Sequence, residues 1–204
     1  MSLDGFVAGP DQSVENPLGV GGMRLHDWVF SLAAWRAPHG LDGGETTVSS
    51  AVIEESRANV GASLMGRNMF GGQPGPWDPA HPWDGWWGDD PPFHHPVFVL
   101  THHARPPLPA QGGTTFHFVT AGIEAALAEA RRAAAGRDVS LGGGASLGRQ
   151  ALSAGLVDEM WINLVPILLG RGERLFDGLD GLRGLSLVRT VAAPAVTHLK
   201  FARP

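Results

Sequence analysis

Residues 139–172 read VSLGGGASLGRQALSAGLVDEMWINLVPILLGRG, and this stretch decides the fold. It opens with a short apolar run at 139–141, which is followed by three consecutive glycines. A helical pattern comes next, with Leu147 and Leu152 apolar and Gly155 placed as a stop. A second apolar and β-prone run covers 160–169. The order predicts a strand, a tight glycine turn, a helix and a second strand.

The glycine turn suits a phosphate group. Glycine lets the backbone approach a ligand without a Cβ in the way. The helix that follows directs free N–H groups and its positive dipole end at the turn, and Ser146 can cap it or donate a hydroxyl. The pattern is not the dinucleotide fingerprint, because no glycine lies three residues after Gly144. Spacing alone therefore leaves a simple packing turn as the alternative.

Composition limits the class of protein. The 204 residues suit one compact domain over 1–204, and the net charge of −5 argues against nucleic acid or an acidic membrane as the main partner. The absence of cysteine fits a reducing cytoplasm, and no apolar run reaches membrane-spanning length. Tyrosine is also absent, so no tyrosine can serve as a proton donor.

Two further strand ends carry groups that suit phosphate. A short strand at 62–65 runs into Gly66, Arg67 and Asn68, and a guanidinium placed there is a reasonable clamp for a monophosphate. The buried run at 97–100 is followed by Thr101 and His102, a hydroxyl and a potential cation. A Gly-Arg pair considered alone would more often be scaffold.

These segments, with MSLDGFVAG at 1–9, MGRNMF at 65–70 and the AGLVDE…P…LLG.G pattern within 154–172, support a family assignment. The chain resembles the C-terminal reductase domain of riboflavin-biosynthesis deaminase-reductases and the stand-alone dihydrofolate-reductase-like proteins related to it. The resemblance spans nearly the whole chain. In this family several strand residues normally precede the SLDG motif, so it implies an earlier start or a shortened edge strand.

The resemblance implies a fold and a cofactor. The fold is α/β, dihydrofolate-reductase-like, with one mixed, mostly parallel sheet, helices on both faces and antiparallel C-terminal strands. The cofactor is NADPH, with its pyrophosphate and nicotinamide half at the glycine turn and its 2′-phosphate at the arginine. The implied cofactor-binding residues are Gly66, Arg67, Asn68, Thr101, His102, Gly143, Gly144, Ala145, Ser146 and Leu147.

The predicted proton source is a carboxylate near the substrate pocket. Residues 10–44 read as a long loop with a short helix near 25–32 that carries Asp27 beside Trp28. Burial among aromatic groups would raise the pKa of Asp27 and make it a proton relay, whereas Asp4 in the SLDG turn would orient or support the site. His26, or a water held by one of these groups, is the other candidate source. The alternatives are an exposed aspartate for Asp27 and a turn aspartate for Asp4.

Two other features leave alternatives open. The loop at 71–96 carries four tryptophans, which could form the wall of a substrate pocket, a satellite core or a subunit interface. Adjacent histidines occur at 94–95 and 102–103, but no metal-ligand spacing is present, and no metal is predicted. Helices are predicted at 46–60 and 123–135, and closing antiparallel strands at 185–191 and 196–202.

The resulting hypothesis is an NADPH-dependent reductase that passes hydride to a C=N or C=O bond of a small pterin- or pyrimidine-like molecule. The related enzymes of riboflavin synthesis usually carry a basic or polar residue where this chain has Phe6, and a glutamate where it has Gly142. This chain therefore lacks two side chains expected to bind a phosphoribosyl substrate. The alternatives are a non-catalytic nucleotide-binding module of the same fold and a histidine-based metal hydrolase. A two-fold homodimer is expected, because the family is commonly dimeric and the closing strands and Trp-rich loop offer apolar surface.

Overall fold

The computed structural model describes all 204 residues. The strands are β1 (Phe6–Ala8), β2 (Val60–Gly66), β3 (Pro96–Leu100), β4 (Leu108–Pro109), β5 (Thr115–Val119), β6 (Asp138–Gly143), β7 (Glu159–Leu164), β8 (Glu173–Arg174), β9 (Ser186–Ala193) and β10 (Val196–Ala202). The α-helices are α1 (Ala33–Arg36), α2 (Val48–Arg57), α3 (Arg67–Phe70), α4 (Ile123–Ala134) and α5 (Ala145–Ser153). Short 3-10 helices cover Gly22–Leu25, Ala37–His39 and Gln111–Gly113. None of the helices combines the length and the apolar character needed to cross a membrane.

The chain divides into two compact units, one over 59–147 and the other over 1–58 with 148–204. This division into two compact units does not decide whether the chain forms the single domain predicted over 1–204. The single-domain organisation therefore stays a prediction.

The unit over 59–147 contains a five-stranded sheet in the order β4-β5-β3-β2-β6. The four strands β5, β3, β2 and β6 pair in parallel, and only the short β4 is antiparallel. The interior strand β2 is buried along five consecutive residues, as expected for a parallel strand covered on both faces. Helix α4 packs on β2 and β3 through Ala126, Leu127, Ala130 and Ala134, whose spacing places them on one face.

The other unit contains a separate antiparallel sheet in the order β7-β10-β9, and a two-stranded ribbon of β1 and β8. The prediction of one continuous sheet with antiparallel C-terminal strands is therefore wrong in one respect, since the closing strands form their own sheet. The mixed α/β class and the mostly parallel central sheet are confirmed. A sequence pattern indicates where a strand lies but not which strand it pairs with. The division of the strands into two sheets could therefore not be predicted from the sequence.

Helix α2 is shorter than the predicted helix at 46–60, and it buries two serines beside Val52 and Ile53. Val48 is half exposed, whereas Ser49 and Ser50 are buried. Thr47 and Ser50 form a reciprocal capping box, which explains why the helix starts at Val48. The oxygen Oγ of Ser49 lies 2.9 Å from Nε2 of His198, so hydrogen bonding compensates its burial.

The predicted helix near 25–32 is also wrong. A 3-10 helix ends at Leu25, residues 26–31 form successive turns, and α1 begins only at Ala33. Val29 and Leu32 pack with Ile53 of α2, and Trp28 donates from Nε1 to the carbonyl of Leu25. Burial of these large side chains thus overrides the helical periodicity in this segment.

Candidate cofactor-binding site

Three neighbouring parallel strands end together at one edge of the five-stranded sheet. The register places Gly66 of β2 beside Leu100 of β3, and Met65 of β2 beside Gly143 of β6. Arg67, Thr101 and Gly144, which follow these strands directly, therefore emerge at the carboxyl edge of the sheet. In open α/β sheets this is the edge where ligands bind.

The glycine turn leaves the backbone open above this edge. Gly143 has a φ of 119° and a cis peptide bond to Gly144, and a Cβ on Gly144 would meet no atom within 4 Å. Helix α5 begins at the next residue, with Ala145 and Leu147 buried and Ser146 exposed. The first turn of α5 therefore presents its backbone N–H groups beside exposed glycine backbone, which suits a pyrophosphate.

Arg67 is the cation closest to the end of β2. Its guanidinium lies 3.7 Å from the centre of the Trp77 ring, and its Nη2 donates to the carbonyl of Gln73 at 2.9 Å. Its Nε is buried and has no hydrogen-bond partner. Burial, and secondarily the positive charge of Arg105, lower the pKa of Arg67. Its neighbours thus hold Arg67 in place, and it has no carboxylate partner. Its positive charge is available to an anion.

The segment after β3 is ordered by Thr101. Its hydroxyl is buried and accepts a hydrogen bond from the backbone N–H of His103 at 3.2 Å. His102 is exposed, as is Asn68 on the neighbouring segment. The sheet thus brings all ten predicted cofactor residues to three adjacent strand ends, but Thr101 already uses its hydroxyl within the protein.

These features fit a phosphorylated dinucleotide. The open space at Gly144 and the unpartnered Nε of Arg67 lie at the ends of adjacent strands, where a pyrophosphate and a separate phosphate could each be bound. The residue types agree with the ligand, because backbone N–H groups and a guanidinium are the usual partners of phosphate oxygens.

The two predicted catalytic carboxylates belong to the other compact unit. The Oδ1 and Oδ2 atoms of Asp4 accept the N–H groups of Leu169 and Gly170, at 3.2 and 2.7 Å. A side-chain hydrogen bond from Ser2, with those backbone N–H groups, lowers the pKa of Asp4 to about 2. Asp4 is therefore ionised at neutral pH, and it fixes the loop that precedes β8.

Asp27 lies in a turn rather than on a helix, and its side chain is exposed. The burial among aromatic groups that the sequence predicted for Asp27 is therefore absent. Its neighbour His26 is the more buried group, and desolvation lowers the pKa of the imidazole. The role of Asp27 as a proton relay stays a prediction without that support.

A buried polar network in the same unit has the order of a nucleophile, a base and an orienting group. Nδ1 of His198 lies 2.7 Å from Oδ1 of Asn163, its direct neighbour on β7, while Nε2 faces Ser49. Ser49 is only 4% exposed and His198 is 0% exposed. No substrate can reach the hydroxyl, so the network anchors α2 on the antiparallel sheet instead of performing catalysis.

The tryptophans of the 71–96 loop form a satellite core. Trp77, Trp83 and Trp87 pack against a buried cluster that includes Phe70 and Phe116. Trp83 and Trp86 also donate from their Nε1 atoms to backbone carbonyls of α3. No group of three or more histidine or acidic side chains is arranged to hold a metal ion.

The sequence did not indicate that Trp77, one of the four tryptophans of the loop, and Arg105 lie beside the guanidinium of Arg67. Arg105 donates to Asp84 at 2.7 Å and lies 5.2 Å from the Trp77 ring. The only sequence signal for Arg105 was its position, four residues after Thr101 at the end of β3. Nothing in the sequence showed that Trp77, ten residues beyond Arg67, folds back over the guanidinium.

Comparison with known proteins agrees with the mixed α/β fold. The family model described as the RibD C-terminal domain matches residues 1–199, and the chain belongs to that family. The family prediction is thus confirmed. A comparison with curated proteins found no match.

Solved structures are similar in fold. A candidate riboflavin-biosynthesis protein from Shewanella sp. PV-4 is 23% identical with a TM-score of 0.61, and the alignment covers 100% of this chain and 95% of that one. A diaminohydroxyphosphoribosylaminopyrimidine deaminase/5-amino-6-(5-phosphoribosylamino)uracil reductase from Thermotoga maritima is 12% identical with a TM-score of 0.55, and the alignment covers 100% of this chain but 54% of that one. A dihydrofolate reductase from Enterococcus faecalis complexed with NADP(H) is 16% identical with a TM-score of 0.48, over 78% of this chain and 83% of that one. At these identities the first two similarities show the fold alone.

Gly144→Val should abolish measurable NADPH binding while the circular-dichroism spectrum and the melting temperature stay near wild type. The new side chain would occupy the open space above the turn, where its Cβ meets no protein atom within 4 Å. Isothermal titration calorimetry measures the binding. Gly181→Val is the matched control, because a Cβ at Gly181 also meets no atom within 4 Å. Normal NADPH binding by the Gly144 variant would show that the three glycines form only a packing turn.

Proposed function

We propose that the protein is an NADPH-dependent reductase that transfers hydride to a C=N or C=O bond of a small pterin- or pyrimidine-like substrate. The observation that carries the proposal is the convergence of Arg67, Thr101 and the open Gly143–Gly144 turn at one edge of the parallel sheet. Membership of the RibD C-terminal domain family supports the oxidoreductase class.

Each group at the edge has a separate role in this proposal. Backbone N–H groups of the glycine turn and of the first turn of α5 bind the pyrophosphate. Arg67 binds the 2′-phosphate, and the segment after Thr101 supports the adenosine side. NADPH, when bound, supplies the hydride. The protein's own contribution is to position the reactants and to exclude water.

The proton that accompanies the hydride needs a source of its own. Asp4 is ionised and uses both of its carboxylate oxygens on backbone N–H groups, which suits an orienting group. We keep Asp27 as the proposed relay, acting directly or through a water molecule that it holds. The exposure of Asp27 favours the second candidate function, a nucleotide-binding module without turnover, because such a module needs no proton source.

The substrate is constrained by the residues of β1. Phe6 replaces the basic or polar residue expected of the riboflavin enzymes, but Arg174, its partner on β8, places a guanidinium 4.4 Å from the centre of the Phe6 ring. Positive charge is therefore present beside Phe6 although residue 6 itself is apolar. A substrate screen should include phosphorylated aminopyrimidines as well as dihydrofolate and unphosphorylated pterins.

Arg67→Ala should weaken NADPH binding by about 1.5–3 kcal/mol, through loss of a charge-assisted hydrogen bond, and should leave NADH binding unchanged. Titration with each cofactor measures the affinities, and steady-state NADPH oxidation with the substrates named above tests turnover. Arg132→Ala, an exposed arginine on α4, is the control. An equal loss for both cofactors would show that Arg67 does not bind the 2′-phosphate, and binding without turnover on any substrate would favour the module.

Asp27→Asn should lower turnover by about two orders of magnitude or more and leave the NADPH affinity unchanged. The loss should be smaller at low pH, where solvent can protonate the substrate. The pH dependence of kcat measures both effects, and Asp42→Asn, an exposed carboxylate in the same segment, is the control. Normal turnover in the Asp27 variant would leave an ordered water or Asp4 as the source.

We also propose a two-fold homodimer formed through β9. This strand lies at the edge of its sheet, contains no proline, and leaves Leu187 and Val188 53% and 55% exposed. Its single charge, on Arg189, is already paired with Glu55 at 2.8 Å. An exposed apolar edge strand with so little charge is suited to pair with another strand. Antiparallel pairing of β9 with β9 of a second copy gives a two-fold dimer to which no further copy can add at this edge.

Sedimentation at micromolar concentration should give the mass of a dimer. Val188→Lys should shift the protein to the monomer, because a charge on an edge strand blocks strand addition. Thr197→Lys, on the central strand β10, is a control for added charge alone. A monomer mass for the wild-type protein would contradict the proposal.

A further inference from the structure

We infer that Trp77 is the positioning residue that sets the preference for NADPH over NADH, by holding Arg67 where the 2′-phosphate binds. The inference rests on the proposed function. It goes further because it assigns the choice between NADPH and NADH to Trp77. This residue lies in the Trp-rich loop and belongs to none of the sequence motifs described above.

Trp77 restrains the guanidinium of Arg67 at close range. The distance of 3.7 Å from the guanidinium carbon to the ring centre is that of a direct cation–π stack. Its Nη2 donates to the carbonyl of Gln73, whereas the buried Nε has no hydrogen-bond partner. The guanidinium is therefore restrained but keeps donor capacity for a ligand.

The indole itself is fixed from several sides. Its Nε1 donates to the carbonyl of His103 at 2.8 Å, and its ring meets the rings of Phe70 and Phe118 edge-on, at 5.8 and 5.1 Å. His103 in turn donates its backbone N–H to Thr101. Trp77 therefore connects the segment after β2, through Arg67, with the segment after β3, through His103. These are the two segments to which the adenosine side of the cofactor is assigned.

The charge balance around the ring favours an anion. Two guanidinium groups, those of Arg67 and Arg105, lie within 3.7 and 5.2 Å of the Trp77 ring centre. Only one carboxylate, that of Asp84, is paired with them, and it contacts Arg105. One positive charge is left without a counter-ion, and the doubly charged 2′-phosphate that distinguishes NADPH from NADH can neutralise it.

The test compares the NADPH and NADH affinities of ring-deleting and ring-retaining variants by calorimetry. Trp77→Leu should weaken NADPH binding by about three- to thirtyfold, the range expected for loss of a cation–π contact, and leave NADH binding within about twofold. Trp77→Phe keeps a ring but not the Nε1 donor, so it should keep most of the preference. Trp87→Phe is the control, because Trp87 belongs to the same loop but meets Phe93 edge-on and stacks on Phe116 rather than on an arginine.

A double-mutant cycle tests whether Trp77 acts through Arg67. In an Arg67→Ala background, Trp77→Leu should cause no further loss of NADPH affinity. An additive loss, or an equal loss of NADPH and NADH, would overturn the inference. If Trp77→Leu melts far below wild type, Trp77→Met keeps more apolar volume without a ring, and an unchanged NADPH preference in that variant also overturns it.

Failure of the inference can be distinguished from failure of the proposed function. Wild-type protein that prefers NADPH, with variants that keep the same preference, would remove the role of Trp77 and leave the reductase proposal intact. Wild-type protein that binds neither cofactor would overturn both.

Discussion

The parallel pairing of β2 with β3 and β6 is the constraint on which the proposed site depends. Parallel strands end at the same edge of a sheet, so this pairing gathers residues that are about 35 to 75 positions apart in the sequence. β2 can lie inside the sheet because its residues are small or apolar, the hydroxyl of Ser63 is hydrogen-bonded to His95, and α4 covers it with small alanines. A break in this register would separate the arginine, the threonine and the glycine turn at once.

The sequence was sufficient to predict the strand ends and the groups that follow them. Gly66, Thr101 and the glycines at 142–144 each terminate a short apolar run, and such punctuation is local, so it can be read without knowing the partner strands. Helix α4 was equally predictable, because its periodicity of small apolar residues is regular. Sheet membership was not, because it depends on which strands pair, and the closing strands β9 and β10 join β7 rather than the parallel sheet.

Residues 10–44 and 71–95 could not be predicted from local patterns. Trp28, Val29 and Leu32 are placed by burial against other elements, and this leaves Asp27 exposed in a turn. In the second segment Trp77 packs edge-on against Phe70 of α3 and Phe118 of the sheet, and this packing has no fixed spacing in the sequence. Long-range packing of this kind decides the exposure of a carboxylate, and therefore its chemistry, so the proton source was the weakest sequence-based assignment.

The environment of Arg67 connects the packing of the loop to the chemistry of the site. A guanidinium on a flexible side chain loses conformational entropy when it binds phosphate, which weakens the contact. Here the stack on Trp77 and the bond to Gln73 impose that restriction during folding. Partial burial beside Arg105 disfavours the charged form, as the lowered pKa of Arg67 shows, and an incoming anion relieves this unfavourable interaction. The aromatic core that the loop builds on the parallel sheet thus prepares a cation at the same edge where the glycine turn leaves its backbone open.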